Sequence, residues 1–216
     1  GKTTLTNALL AEVSKTSDRV VLIEDTRELQ CAAPNLVAMR TKDGVASLSD
    51  LVRSSLRLRP DRIPIGEVRG SEALDLLKAW GTGHPGGVGT IHAGTAIGAL
   101  RRMEQLIQEA VVTVPRALIA ETIDLVAVLA GRGSARRLVE LARVDADRIP
   151  IEQNRFAIGE VVGRDLDVQL ERRTGSLGHD RIGHGLHRLR ALQLDDEVLA
   201  ASGQHLVIQQ LVPRVV

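Results

Sequence analysis

Three apolar stretches of this 216-residue chain end in groups that could handle a phosphoryl group. Arg19-Val20-Val21-Leu22-Ile23 runs into Glu24-Asp25, Ile63-Pro64-Ile65 into Gly66-Glu67, and Val88-Gly89-Thr90-Ile91 into His92. A carboxylate directly after a buried strand is costly unless it meets a cation or does chemistry. The chain opens on Gly1-Lys2-Thr3-Thr4, which has the form of the second half of a GxxxxGK[ST] phosphate loop entering its helix. In that loop, backbone N–H groups wrap the phosphates, the lysine reaches the β- and γ-phosphates, and the hydroxyl holds Mg²⁺. Each stretch alone has an ordinary alternative. Gly1–Thr4 can simply start a helix, Glu24-Asp25 can start a solvated loop, Gly66-Glu67 can end a strand, and His92 can be a hydrogen-bonded strand end. Together they read as one ATP site.

The elements that must position these groups alternate. Leu5, Leu9 and Leu10 give residues 2–13 a helical apolar face, and residues 19–25 form a buried strand. A strand is expected at 39–43, then a helix capped by Ser47 or Ser49 and stopped by Pro60. Residues 63–67 read as a strand, although Pro64 cannot donate to a ladder. A helix capped by Ser71 ends at Gly81 as a C′ glycine, and 88–93 is a strand. Helices follow at 99–112 and after Pro115, and then strand 123–130 turns back into an antiparallel 137–144. This order is α/β, a mainly parallel sheet flanked by helices. In such sheets ligands sit at the carboxyl ends of the strands, where the acids and His92 fall. Residues 1–144 therefore form one expected domain, and 145–216 an extension of uncertain fold.

Composition narrows the classes. Hydrophobic residues are 44% and charged residues 25%, ordinary for a globular protein, while a net charge of +1 gives no overall bias toward nucleic acid. Aromatic residues are 1% of the chain, Trp80 and Phe156 alone, which argues against base-stacking platforms. Cys31 is the single cysteine, so no intrachain disulfide is expected, and no apolar run is long enough to span a membrane. His179, His184 and His187 lie close together in the tail, but no cysteine or tight acid cluster joins them, so no metal site is expected there.

With the pieces aligned, residues 1–144 resemble the ATPases of type II and type IV secretion systems, most nearly the TrbB-type conjugal-transfer branch. The matching stretches are GKTTLTNALL, VVLIEDTREL, LRLRPDRIPIGEVRGSEALDLLKAW, TGHPGGVGTIHAG and IDLVAVLAG. The resemblance implies a RecA-like P-loop NTPase core, working as a homo-hexamer at the cytoplasmic face of the inner membrane. There it would join inner-membrane components of a conjugation or type IV secretion apparatus. Its implied activity is ATP hydrolysis that energises pilus assembly or substrate transfer, with no sequence-specific nucleic-acid binding. By position, Gly1, Lys2, Thr3 and Thr4 match the end of the Walker A loop, Glu24 and Asp25 the acidic box, and Glu67 the Walker B acid. His84 and His92 fall in the histidine box, with His92 the candidate γ-phosphate sensor. The implied catalytic set is Glu67, Glu24 and His92. Gly1, Lys2, Thr3, Thr4, Asp25 and Arg69 would bind ATP, and Thr3 and Asp25 would hold Mg²⁺ with it. Arg57, Arg59 or Arg69 could supply transition-state charge.

Three departures stand beside the resemblance. The first glycine of the loop and its four followers are absent, as is the family's N-terminal domain, and the start on Gly1 suggests a fragment. Pro64 stands where an aliphatic residue is expected, and residues beyond about 145 match no family motif. A remnant that only oligomerises or binds partners is thus an alternative. A RecA-like DNA strand-exchange enzyme or helicase is a third reading that lacks a basic-aromatic groove.

Overall fold

The structure, a computed structural model, describes residues 1–84, 86–144, 158–166 and 206–210. His179, His184 and His187 lie outside the described residues. The described elements are α1 (Lys2–Val13), β1 (Arg19–Glu24), β2 (Asn35–Arg40), α2 (Leu48–Ser55), α3 (Glu72–Gly81), β3 (Val88–Ile91), α4 (Ala96–Gln108), α5 (Arg116–Thr122), β4 (Leu125–Ala130), β5 (Arg137–Val144), β6 (Ile158–Leu166) and β7 (Leu206–Gln210).

β2 and β1 pair in parallel, and a second group runs β3-β7-β4-β5-β6. Residues 62–68 join the two groups. Val21 and Ile23 donate their N–H groups to Arg62 and Pro64 carbonyls, while Ile65 and Val68 donate to the Val88 and Thr90 carbonyls of β3. The expected strand at 63–67 is therefore reduced to isolated parallel bridges, Ile23 with Ile65 and Glu67 with Thr90. Pro64 supplies the reason. The parallel pattern gives position 64 both a carbonyl and an N–H toward β1, and proline has only the carbonyl.

Successive residues of the strands point to opposite faces, and each face has its own core. Val21 and Ile23 of β1 and Val126 and Val128 of β4 meet α2, α3, α4 and α5 on one side. Leu22, Ala127 and Leu129 meet Leu5 and Leu10 of α1 on the other, with Leu29 beside them. The result is a helix–sheet–helix sandwich. The β4–β5 hairpin is antiparallel as its turn predicts, with a register shift between Val128 and Leu129. β6 extends it antiparallel, so residues beyond 144 contribute to the same sheet.

Several local expectations change. β2 spans Asn35–Arg40 rather than 39–43. Its burial is patchy, as befits an edge strand, and gives no alternating signal. Ser47 forms a capping box with Asp50, whereas Ser71 makes no side-chain cap. The carboxylate of the buried Glu72 takes that place, accepting from the N–H groups of Arg69 and Gly70 at 2.6 and 2.9 Å. Gly81 is the last helical residue of α3, and the left-handed turn falls on Gly83 at φ +91°. α4 begins at Ala96, earlier than expected, because Thr95 caps it.

An ion pair between Asp18 and Arg62 ties the entry of β1 to the 62–68 link. The Arg62 side chain bonded to Asp18 holds its carboxyl below the ordinary 3.8. A depressed carboxylate stabilises the fold above its unfolded value, and that contribution disappears as pH falls through the folded one. Asp18→Asn should lower Tm by roughly 2–4 °C at pH 7, the size of a 1 kcal/mol loss in a chain of this length. As pH falls below 3.8 the difference from the parent should shrink in the same thermal melts.

Candidate functional site

The C-terminal ends of β1, of the 62–68 link and of β3 meet the start of α1 in one cleft. Its volume is about 220 Å³, and its lining includes Gly1, Lys2, Thr3, Glu24, Asp25, Glu67, Arg69 and His92. Ligand pockets for whole drug-sized molecules run to roughly 300–1,000 Å³, so this space suits a phosphate chain and a cation better than a complete nucleotide. A wider groove of about 990 Å³ shares Asp25, Thr26 and Arg69 with it and continues toward Ser47 and Asp50.

Helix α1 enters this cleft end-on. Its N-cap is Gly1, no side chain caps its first N–H groups, and no acid sits in its first turn. Such an end carries partial positive charge and unsatisfied donors, the requirements of an anion site. Lys2 is buried there, and burial is the main reason its pKa lies below 10.5. Arg69 lowers it further, while Glu67 and Glu28 pull it back up.

Glu67 is the hub. Arg69 donates to Glu67 Oε2 from Nε at 2.9 Å and Nη2 at 2.6 Å, and His92 Nε2 lies 2.7 Å from Oε1. Lys2 Nζ lies 3.3 Å from His92 Nδ1 and 2.9 Å from Nε2. An ammonium and a carboxylate cannot both be satisfied by Nε2. The consistent assignment has Nε2–H donating to Glu67 and Nδ1 accepting from Lys2. His92 thus bridges the helix-borne cation and the strand-end carboxylate. The same carboxylate raises the Arg69 pKa, mainly through the hydrogen bond.

Glu24 has a different use from Asp25. It is 3% exposed, and its Oε2 accepts from the N–H groups of Glu28 and Leu29, both at 3.0 Å. It therefore shapes the loop that presents Asp25, Thr26 and Glu28 to the cleft. Thr3 Oγ1 donates to Glu28 Oε2 at 3.1 Å, which uses the hydroxyl proton and leaves its lone pairs for a cation. Among the described residues no three of His, Cys, Asp and Glu converge as a self-sufficient metal site. Mg²⁺ held by one or two carboxylates together with phosphates needs no such cage.

Of the residues singled out from sequence, Thr4 lies on α1 outside the cleft lining, and so do Arg57, Arg59 and His84. His84 Nδ1 sits 3.1 Å from the Ala79 carbonyl instead, at the end of α3. Among the described residues, Arg59 is the non-glycine residue with a left-handed backbone, at φ +49°. Sequence reasoning gave no role to Glu28 and Thr90. Thr90 Oγ1 donates to the Gly66 carbonyl at 2.6 Å and braces the residue before Glu67. A serine or threonine two residues before the strand-tip histidine is the signal that marks it.

The family model for type II/IV secretion system proteins matches residues 1–163. The chain belongs to that family. Its match extends past residue 145, where the sequence motifs end. The chain is similar to the conjugal transfer protein TrbB of Rhizobium radiobacter, 50% identical over 150 residues, 68% of this chain and 46% of that one. It is also similar to the type IV secretion system protein PtlH of Bordetella pertussis, 39% identical over 157 residues, 65% of this chain and 46% of that one. Among solved structures, the VirB11 ATPase of the Brucella suis type IV secretion system superposes with a TM-score of 0.58 at 27% identity, over 65% of this chain and 45% of that one. The chain spans less than half the length of these relatives. The fold is a RecA-like P-loop NTPase core, a mainly parallel sheet flanked by helices.

Proposed function

We propose that this chain is the motor part of an ATP-hydrolysing subunit of a conjugative-transfer or type IV secretion system, energising pilus assembly or substrate transfer. The observation that carries this reading is the meeting of Lys2, the uncapped start of α1, Asp25, Glu67, Arg69 and His92 in one cleft. In this proposal residues 1–144 are the motor domain, and 145–216 an extension that lends β6 and β7 to its sheet. The working form is a homo-hexamer at the cytoplasmic face of the inner membrane, associated with inner-membrane components of the apparatus. No helix of the described residues is long and apolar enough to cross a membrane. The similarity to a conjugal transfer protein and to a type IV secretion system protein supports the system.

The residues fit MgATP by its phosphate end. Gly1, Lys2 and the first N–H groups of α1 hold the phosphates, and Thr3 and Asp25 hold Mg²⁺. The bound nucleotide supplies the phosphoryl group, and the cation draws negative charge off it. Glu67 orients water and accepts its proton at the acceptor position that Arg69 and His92 leave over. Arg69 has an exposed side chain and is free to swing toward the developing charge. His92 touches both Lys2 and Glu67, so a change at the phosphate end reaches the carboxylate through one ring. Glu24 keeps the Asp25 loop in place.

Replacing Lys2 tests the phosphate grip. Lys2→Met should weaken nucleotide binding by about 10- to 100-fold, the worth of one charge-assisted hydrogen bond, in a fluorescent-ATP titration. It should also raise Tm by roughly 2–4 °C at pH 7, because a buried ammonium is costly. Lys2 has a depressed pKa, so the cost is full below its folded value and fades as pH rises toward 10.5. The stabilisation by Lys2→Met should fade with it. Unchanged affinity together with a lowered Tm would make Lys2 a structural residue.

A further inference from the structure

One side of α1 carries a polar seam. Thr3, Asn7 and the C-cap Ser14 fall within roughly 40° of one another around the helix axis. All three bond to residues 28–32, the stretch that follows the acidic pair Glu24-Asp25. Thr3 reaches the Glu28 carboxylate, and Ser14 Oγ accepts from the Ala32 N–H at 3.0 Å. Asn7 makes two bonds between these. Its Nδ2 donates to the Glu28 carbonyl at 3.2 Å, and its Oδ1 accepts from the Gln30 N–H at 2.9 Å. A carbonyl and the N–H two residues on are the pair that a neighbouring parallel strand would engage. The carboxamide supplies the matching donor and acceptor from a helix instead. Leu29, between the two bonded positions, is buried beside Leu5 and Leu10 of α1. At the other end of the loop stands Glu24, the last residue of β1. Asp25, Thr26 and Arg27 thus form a short span pinned on both sides.

We propose that Asn7 is a positioning residue of the cleft: it seats the backbone of residues 28–30 on α1 and so holds the acids Asp25 and Glu28 against the Thr3 end of that helix. Asn7 does not line the cleft and acts through the loop. Lys2 and Thr3 stand at the start of the same helix, so the seam makes the phosphate grip and the acidic loop one unit. The cation side of the proposal rests on reading Thr3 and Asp25 as the holders of Mg²⁺. The seating of the loop rests on the bonds alone.

Hydrogen exchange followed by NMR on the whole 216-residue chain, without nucleotide, tests the seating. In Asn7→Ala the Gln30 amide loses its acceptor. The Glu28 and Leu29 amides keep theirs, the Glu24 carboxylate. They should nevertheless exchange about 10-fold faster, the worth of one or two neutral hydrogen bonds that close the loop. Amides of β1 should stay within about 2-fold of the parent, because the opening is local. Acceleration at Gln30 alone would make Asn7 a local contact, and equal acceleration through β1 a general stabiliser; either overturns the proposal. Mg²⁺ titrated into the chain with fluorescent ATP reads the cation side. Asn7→Ala should raise the Mg²⁺ concentration for half-maximal binding by about 3- to 10-fold, with affinity in EDTA unchanged. Ser14→Ala, which loosens the seam beyond the acids, should leave that midpoint in place. An unmoved midpoint in Asn7→Ala, or an equal rise in Ser14→Ala, would count against the proposal. Should the parent bind no nucleotide, the ATPase reading falls and the exchange pattern decides the seating by itself.

Discussion

Glu67→Gln should reduce ATP turnover by about 10²- to 10⁴-fold, the range set by losing a positioned proton acceptor, while nucleotide affinity stays within a few-fold of the parent. The amide keeps the size of the carboxylate and can still accept from Arg69. It cannot take a proton from water, and it offers His92 a weaker acceptor. The fall should therefore appear in kcat with little change in KM. Among the described residues, Arg69 and His92 bond the Glu67 carboxylate, both with mostly exposed side chains, so Tm should move little. Steady-state hydrolysis and thermal melts on the same preparations separate chemistry from folding. Equal losses in Glu67→Gln and in a surface substitution such as Lys15→Gln would remove Glu67 from the reaction.

The second large effect concerns stability. Trp80→Ala should cost about 3–5 kcal/mol, as large aromatic truncations in a packed core do, and lower Tm by roughly 6–20 °C. Trp80 is 2% exposed, and its Nε1 donates to the Ile63 carbonyl at 3.0 Å. It also lies against Gly89 of β3, where an added Cβ would come within 3.2 Å of the indole. One side chain thus clamps the irregular 62–68 link to β3 from the α3 side. The link has lost a donor at Pro64, and it carries Glu67. Trp80→Phe keeps much of the volume and loses the hydrogen bond, with an expected cost nearer 1 kcal/mol. If the alanine variant unfolds no earlier than the phenylalanine one, the clamp is not there.

The order of elements was legible because most apolar stretches through Val144 announce their own period and stop. Val20–Ile23 and Leu125–Leu129 are continuous buried runs, and Leu100, Met103, Leu106 and Ile107 mark the inner face of α4. The approach of Lys2, Glu67 and His92 was legible as a group of strand and helix ends that an α/β sheet gathers on one edge. What escaped was long-range or one-sided. β2 has the patchy burial of an edge strand, and the pairing of β7 between β3 and β4 joins residues more than 80 positions apart, beyond any local pattern. The Glu72 cap escaped because its carboxylate reaches backward to Arg69 and Gly70, whereas the serine before it fits the usual rule. The loop-holding use of Glu24 escaped too, since two neighbouring carboxylates look alike until one is found buried.

The most direct test of one nucleotide site built from Lys2, Glu67 and His92 is a titration of Mg²⁺ with ATP, and separately with ADP, into the chain with ¹⁵N-labelled histidine. The resonance of His92 reports on both of its neighbours. The account predicts a saturable His92 shift with ATP, a smaller one with ADP, and loss of both in Lys2→Met. A His92 signal that ignores nucleotide, or that responds equally in Lys2→Met, would contradict it.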